Sequence, residues 1–169
     1  VRNNSTTHIL DDLAKAYGQV CYEVPVGFKY VAEKMVETDA IIGGESSGGL
    51  TVKGHIQGKD GIYAASLLIE MIAVTGKALS VLYKEITDRF GMRYTRDSEV
   101  HFTEKEKETL KKKLITDQQR PEFPFDIDHV SYKDGCKVYF KDGGWIIARF
   151  SGTEPLLRIG TEMRAEKDA

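Results

Sequence analysis

The chain has 169 residues, of which 41% are hydrophobic and 30% charged, with a formal net charge of −2. This composition is typical of a folded protein and excludes the collagen-like, low-complexity and disordered classes. Near-neutral charge and a pI near 6.1 do not favour nucleic-acid binding. Cys21 and Cys136 lie far apart without C-x-x-C spacing, so neither a disulfide framework nor a zinc site is predicted.

Targeting signals and membrane spans are not indicated either. Residues 1–8 are polar and lack the basic-then-apolar order of a signal peptide. Residues 64–74 are the most apolar stretch, but Glu70 interrupts them and they reach about half the length of a bilayer span. We expect a buried helix there, in a soluble protein of the reducing cytoplasm.

The first half of the chain alternates between helical and strand patterns. Helices are predicted over residues 5–17, 28–36, 61–74 and 78–90, and strands over residues 19–24 and 40–42. Gly43 and Gly44 are expected to end the second strand. Short strands alternating with helices predict an α/β layer with a parallel or mixed sheet.

The pattern changes near residue 91. A strand is predicted over residues 92–102, followed by a charged helix through residue 114 that Thr103 and Glu106 open as a capping box. Strands are predicted over 127–132, 136–140, 145–150 and 156–163, with turns at 134–135 and 142–144. Residues 164–169 resemble the start of a further helix. The second half is therefore predicted to be an α+β domain.

A glycine-rich segment at residues 43–49 (GGESSGG) directly follows a predicted strand. Its glycines allow the backbone to approach a ligand closely. Glu45 can accept two hydrogen bonds while a neighbouring serine both donates and accepts, which suits vicinal sugar hydroxyls. The alternative is a flexible turn with a solvated glutamate, because Gly/Ser clusters commonly mark loops.

A second segment, residues 149–155 (RFSGTEP), lies between two predicted strands, with Arg158 three residues beyond it. The guanidinium of Arg149 matches phosphate geometry, and the serine and threonine hydroxyls add neutral donors. Gly152 would let backbone N–H groups converge on an anion. The alternative is an ordinary β-turn with Arg149 in a surface ion pair.

A third and weaker segment, residues 54–61 (GHIQGKDG), precedes a predicted helix. Asp60 is predicted to be the N-cap of that helix. Lys59 and His55 either face a ligand or are solvated loop residues, and their spacing does not decide between the two.

Together these segments resemble the α-D-phosphohexomutases, the phosphoglucomutase/phosphomannomutase superfamily. Residues 44–49 resemble its sugar-binding loop and residues 149–155 its phosphate-binding loop, while residues 26–30 (VGFKY) and 59–61 (KDG) match further segments in the same order. The resemblance covers essentially the whole chain. It implies that residues 1–90 form domain 3, an α/β/α layered domain with a mixed sheet, and residues 91–169 form domain 4, a TATA-box-binding-protein-like α+β domain. Domain 3 would lack its N-terminal part and domain 4 its C-terminal part.

The resemblance also implies roles for individual residues. Glu45 and Ser47 would contact the sugar hydroxyls, and Gly27 and Arg2 lie in segments that border the sugar. Lys59 matches a position proposed as a proton-transfer or cleft residue, which makes it the candidate catalytic residue. The phosphate would be held by Arg149, Ser151, Gly152, Thr153 and Arg158.

The family reaction is an isomerisation by intramolecular phosphotransfer between the 1- and 6-positions of a hexose, through a bisphosphorylated sugar. It uses a phosphoserine in the first domain and Mg²⁺ held in the second. This chain has no Ser-His-Asn-type loop and no closely spaced aspartate run. We therefore expect Mg²⁺ and glucose 1,6-bisphosphate to serve a full-length parent, with no metal ligand in this chain.

The expected partners are a hexose phosphate and the parent's domains 1 and 2, with no nucleic acid and no membrane. Alone, the chain is expected to be catalytically inactive. Two alternatives stay open, a stand-alone phosphosugar-binding module and a scaffold domain whose loops bind nothing. The choice among glucose, mannose and glucosamine phosphates also stays open, with Ser46 and Gly49 leaning toward glucose.

Overall fold

The computed structural model describes residues 1–152 and 154–169, so the predicted phosphate ligand Thr153 lies outside the described residues. The chain divides into two compact units, an N-terminal unit (Val1–Met92) and a C-terminal unit (Arg93–Ala169). Each unit contains one of the two principal motifs, the glycine-rich segment in the first and the RFSGTEP segment in the second.

The N-terminal unit is built on a mixed four-stranded sheet with the order β2-β1-β3-β4. The first strand pairs in parallel with β2 and β3, and β3 pairs antiparallel with β4. The sheet and its helices confirm the α/β class. The elements are β1 (Arg2–Asn3), α1 (Ile9–Ala16), β2 (Glu23–Val24), α2 (Phe28–Thr38), β3 (Ile42–Gly44), β4 (Leu50–Val52), α3 (Gly61–Thr75) and α4 (Leu79–Phe90).

The core of this unit lies between α2 and the sheet. Val31 and Met35 of α2 are 0% and 8% exposed and pack with Val24 of β2. Gly43 of β3 lies beneath that helix, where an added Cβ would come within 2.6 Å of Val31 Cγ1 and would also overlap Met35 Sδ. Glycine is needed here because the helix and the strand approach so closely.

Several predicted boundaries in the first half were wrong. The strand predicted over residues 19–24 is confined to Glu23–Val24, and β4 was not predicted. The two glycines expected to end a strand form part of β3 instead. The first helix begins at Ile9 rather than at residue 5, because the amide of Ser5 and the hydroxyl of Thr6 bond to the side chain of Asn3.

The prediction of a buried helix over residues 64–74 was also wrong. No residue of α3 is buried, and Ile62 and Val74 are 84% and 79% exposed. Apolar side chains cover this helix on all sides, which is typical of a helix enclosed by other polypeptide. Among the described residues no single helix is long and apolar enough to span a membrane; α3 and α4 together reach that length and composition but bend by 82°.

The C-terminal unit contains a five-stranded antiparallel sheet with the order β5-β9-β8-β7-β6. Its core is a cluster of Cys136, Val138, Phe140 and Met163. Phe125 packs against this cluster, with its ring centroid 5.2 Å from that of Phe140. The sheet and helix confirm the α+β class. The elements are β5 (Tyr94–His101), α5 (Glu104–Lys111), β6 (Ile127–Ser131), β7 (Cys136–Phe140), β8 (Trp145–Phe150) and β9 (Leu156–Met163).

The helix cap and the hairpin turns of this unit lie where the sequence predicts them. The capping box of Thr103 and Glu106 is confirmed, although the α-helix ends at Lys111 and continues as a π-helical turn over Lys112–Thr116. Gly135 and Gly143 have φ values of +85° and +89°, as the predicted hairpin turns require. The last residues form a 3-10 turn, Glu166–Asp168, in place of the start of an α-helix.

We expect Gly43→Ala to lower the free energy of unfolding by about 1–3 kcal/mol, because the new methyl group overpacks the contact between α2 and β3. Gly58→Ala is the matched control, since a Cβ there meets no atom within 4 Å. Urea denaturation of both variants measures the difference. Equal stability of the two variants would show that α2 can shift freely.

Candidate functional site

The glycine-rich loop joins β3 to β4 as a closed turn. The amide of Glu45 donates to the carbonyl of Gly49 at 2.9 Å, and the amide of Gly48 donates to the carbonyl of Glu45 at 3.0 Å. Gly48 has a φ of +89°, a conformation that favours glycine. The loop therefore has a defined hydrogen-bonded shape that fixes where its side chains project.

The carboxylate of Glu45 is the best-anchored group of this loop, with a side chain only 5% exposed. Oε1 accepts from Asn3 Nδ2 and from the backbone amide of Gly27, both at 3.1 Å. Oε2 accepts from Lys59 Nζ at 3.3 Å. The structure thus brings together Gly27, Glu45 and Lys59, which are distant in sequence and were all predicted site residues.

Lys59 reaches Glu45 by passing over Gly49. A Cβ on Gly49 would overlap the Cδ of Lys59 and lie 2.9 Å from its Cγ. The Lys59 side chain is 53% exposed, and its Nζ lies 5.8 Å from the centroid of the Phe28 ring. The ammonium group is therefore half in solvent beside the carboxylate, where a ligand can also reach it.

Ser47 lies exposed in the same loop. Its hydroxyl makes no hydrogen bond to the residues that the structure describes. Glu45 and Ser47 thus differ in how firmly their side chains are oriented. Hydrogen bonds fix the carboxylate of Glu45, whereas the hydroxyl of Ser47 can turn toward a ligand.

Arg2 is held inside the unit. Its guanidinium is 3% exposed and bonds to Asp11 Oδ2 and Glu23 Oε2, each at 2.7 Å. Burial by itself would lower the pKa of Arg2, but the hydrogen bonds and charges of Asp11 and Glu23 outweigh it and raise that pKa. Arg2 borders the loop through its neighbour Asn3, and its own charge is already neutralised by two carboxylates.

The second motif connects β8 to β9. Arg149 and Arg158 are directly paired in the register of these strands. Ser151 is 8% exposed, and its amide donates to the carbonyl of Leu156 at 2.9 Å. Gly152 is exposed, its φ lies outside the left-handed region, and a Cβ there would meet no atom of the described, non-adjacent residues within 4 Å. None of these residues requires glycine at 152, and they leave the space beside it open.

The two arginines differ in their surroundings. Arg158 makes ion pairs at 3.3 Å with Glu99 and with Glu154, and its side chain is 49% exposed. None of the described carboxylates pairs with the half-buried Arg149. An arriving phosphate would therefore compete with carboxylates at Arg158 but not at Arg149.

Asp60 is the N-cap of α3, as predicted. Its Oδ1 accepts from the amides of Ile62 and Tyr63 at 3.1 and 3.0 Å, and its Oδ2 lies 3.0 Å from His55 Nε2. The His55 ring stacks on Tyr63 at 3.9 Å between centroids. These contacts fix the segment that carries Lys59. His55 therefore supports the position of Lys59.

Metal ligands were not expected in this chain. Within residues 1–152 and 154–169, no group of three or more His, Cys, Asp or Glu side chains lies close enough together to hold a metal ion. Asp11 and Glu23 are engaged by Arg2.

Sequence reasoning missed Asn3 and Thr6. Asn3 bonds to Glu45, and the hydroxyl of Thr6 accepts from the amide of Ser46 at 3.0 Å. A two-residue strand has no periodicity to detect, so no sequence pattern placed Asn3 and Thr6 next to loop residues that lie 42 and 40 positions away. The polar run at residues 3–7 (NNSTT) was the available signal.

We expect the start of α3 to loosen in acid. Hydrogen bonds from the amide of Tyr63 and from His55 lower the pKa of Asp60 below its ordinary value of 3.8. A lowered pKa means that this stabilisation is complete above the ordinary value and is lost as the pH falls through the lowered one. Amide exchange at Ile62 and Tyr63, followed by NMR against pH, measures this.

Asp60→Asn is the control, because its carbonyl oxygen still caps the helix but does not titrate. Exchange at the two amides should then be independent of carboxyl protonation. An Asp60 titration at or above 3.8 in the native chain would contradict the capping geometry.

Comparison with known proteins matches both units. The family model for "Phosphoglucomutase/phosphomannomutase, alpha/beta/alpha domain III" matches residues 1–90, and the one for "Phosphoglucomutase/phosphomannomutase, C-terminal domain" matches residues 97–169. A phosphoglucomutase/phosphomannomutase from Thermococcus kodakarensis is 30% identical over 98% of this chain and 34% of its own length. A phosphoglucosamine mutase from Fusobacterium nucleatum is 31% identical over 81% of this chain and 26% of its own length.

A solved structure agrees with these matches. A phosphoglucomutase/phosphomannomutase family protein from Burkholderia thailandensis superposes with a TM-score of 0.74 at 25% identity, covering 98% of this chain and 33% of that one. The chain thus spans between a quarter and a third of the length of these relatives. Because the matches to domain III and to the C-terminal domain together cover most of its residues, this chain belongs to the phosphoglucomutase/phosphomannomutase family.

Proposed function

We propose that this chain is the sugar- and phosphate-binding C-terminal part of a cytoplasmic phosphohexomutase, an isomerase that interconverts hexose 1-phosphate and hexose 6-phosphate through a bisphosphorylated intermediate. The observation that carries the proposal is the pre-positioned carboxylate of Glu45, which is nearly buried yet leaves Oε2 beside the half-exposed Lys59. Relatives named as glucose, mannose and glucosamine phosphate mutases support a hexose phosphate as the substrate class.

In this proposal the N-terminal unit binds the sugar ring. Glu45 Oε2 accepts a hydrogen bond from a ring hydroxyl, and Ser47 donates to or accepts from its neighbour. Lys59 can donate to a sugar oxygen from the same side, which also makes it the candidate for moving a proton. A rigid acceptor binds a hydroxyl more tightly than a mobile one, because less side-chain freedom is lost on binding.

In the same proposal the C-terminal unit binds the phosphate. Arg149 supplies a guanidinium that no described carboxylate occupies, and Gly152 leaves open space at the same turn. Ser151 and Thr153 are proposed as further ligands, and Arg158 as a secondary one that must exchange its pairing with Glu99 and Glu154. A phosphate held here stays unreacted, so its binding energy can position the rest of the substrate.

The phosphoryl donor and the metal site are proposed to lie in domains 1 and 2 of the parent enzyme. Mg²⁺ would balance phosphate charge there, and glucose 1,6-bisphosphate would serve as the activating intermediate. The apolar and largely exposed α3 supports this proposal, because Ile62, Ile69 and Val74 would normally be covered by further polypeptide.

Arg149→Ala is expected to weaken binding of glucose 1-phosphate by about 2–3 kcal/mol, because it removes charge-assisted hydrogen bonds to the phosphate. Arg158→Ala is the matched control and should cost less, since its guanidinium already pairs with two carboxylates. Isothermal titration calorimetry of the native chain and both variants provides the comparison. If Arg158→Ala lost more affinity than Arg149→Ala, the assignment of the two arginines would be reversed.

The chain alone is expected to bind hexose phosphate without converting it. Incubation with glucose 1-phosphate, Mg²⁺ and glucose 1,6-bisphosphate should give no glucose 6-phosphate above a blank in a coupled dehydrogenase assay. A full-length family mutase is the positive control. Sustained turnover by residues 1–169 would refute the proposal that the phosphoryl donor lies elsewhere.

A further inference from the structure

A buried side chain outside the sequence motifs connects the first strand to the sugar-binding loop. Asn3 of β1 is 2% exposed. Its Nδ2 donates to Glu45 Oε1 at 3.1 Å, and its Oδ1 accepts from the amide of Ser5 at 3.0 Å and from Thr6 Oγ1 at 2.8 Å. Both ends of this one amide group are therefore engaged, the donor with the loop and the acceptor with the turn after β1.

Thr6 extends this connection to the loop backbone. It is 6% exposed, and its Oγ1 accepts from the amide of Ser46 at 3.0 Å while donating to Asn3. The first two loop residues are thus held by neighbouring polar groups of the same turn, Glu45 through its side chain and Ser46 through its backbone. A buried hydrogen-bond network in which every member has its partner makes a local conformation rigid.

The consequence for Glu45 is a fixed orientation. Asn3 Nδ2 and the amide of Gly27 both donate to Oε1, so the carboxylate cannot rotate without breaking two part-buried hydrogen bonds. Oε2 is directed to the half-exposed Lys59 and to any ligand beside it. Rigid support behind a contact residue is the usual requirement for precise recognition.

We propose that Asn3, together with Thr6, is a positioning residue of the sugar-binding loop, which holds Glu45 so that Oε2 reads a hexose hydroxyl. This inference rests on the proposed function, because it takes a sugar as the ligand of Glu45. Asn3 itself does not touch the substrate and acts through Glu45.

Asn3→Asp tests this role with a change of one group. It replaces the donating amide nitrogen by an accepting oxygen facing Glu45, while the other oxygen still accepts from Ser5 and Thr6. In NMR titrations of the native chain, the Kd for glucose 1-phosphate should rise about tenfold, as expected for loss of one hydrogen bond to a charged group. The Kd for inorganic phosphate should stay unchanged, because the phosphate-binding residues lie in the other unit.

A second pair of variants keeps the test decisive if Asn3→Asp does not fold. Thr6→Val removes the hydroxyl at constant shape and should weaken glucose 1-phosphate binding, whereas Thr6→Ser should restore it. Thr87→Val is the matched control, since Thr87 is also buried but bonds within α4 to the carbonyl of Lys84 at 3.0 Å. It should leave both dissociation constants unchanged.

A double-mutant cycle separates positioning from general stabilisation. In a Glu45→Gln background, Asn3→Asp should cause little further loss of glucose 1-phosphate affinity, because the group it orients is already altered. Additive losses, or an equal loss of inorganic phosphate binding, would show that Asn3 only stabilises the fold and would overturn the inference.

The two proposals fail in different ways. If the native chain binds no glucose 1-phosphate, the proposed function is wrong and the positioning role falls with it. If the native chain binds glucose 1-phosphate and folded Asn3→Asp binds it equally well, the positioning role alone is wrong.

Discussion

The hydrogen bonding of one nearly buried carboxylate organises the N-terminal unit. A carboxylate removed from water needs donors, and Glu45 takes them from the central strand through Asn3, from the start of α2 through Gly27 and from the segment before α3 through Lys59. Each donor comes from a different part of the chain. The position of the glycine-rich loop therefore depends on all three of these parts of the chain.

Two glycines of this unit, Gly43 and Gly49, are required by close packing. Gly43 lets α2 lie directly on β3, and Gly49 leaves the space through which Lys59 reaches Glu45. A side chain at Gly43 would displace Val31 or Met35, and one at Gly49 would displace Lys59. A Gly/Ser-rich sequence that resembles a mobile linker thus forms a rigid, hydrogen-bonded turn.

In the C-terminal unit the strand register sets two arginines opposite each other, and their neighbours then distinguish them. Like charges in directly paired positions repel, and Glu99 and Glu154 relieve this at Arg158. Arg149 keeps its charge available for an anion. This difference between the arginines arises from the pairing of β5 with β9 as much as from the RFSGTEP segment itself.

The sequence by itself determined the fold class of both units, the capping box at Thr103 and Glu106 and the exact strands β7, β8 and β9, because these depend on local spacing and turn chemistry. The family came from the resemblance of its ordered motifs, which the family models bear out. Only the tertiary structure decided that Asn3 and Thr6 support the loop, that Arg2 is neutralised by Asp11 and Glu23, and that the apolar α3 is exposed. Contacts between residues some 40 positions apart leave no periodic signal in a chain. Whether an apolar helix is covered depends on what packs against it, which its own sequence does not encode.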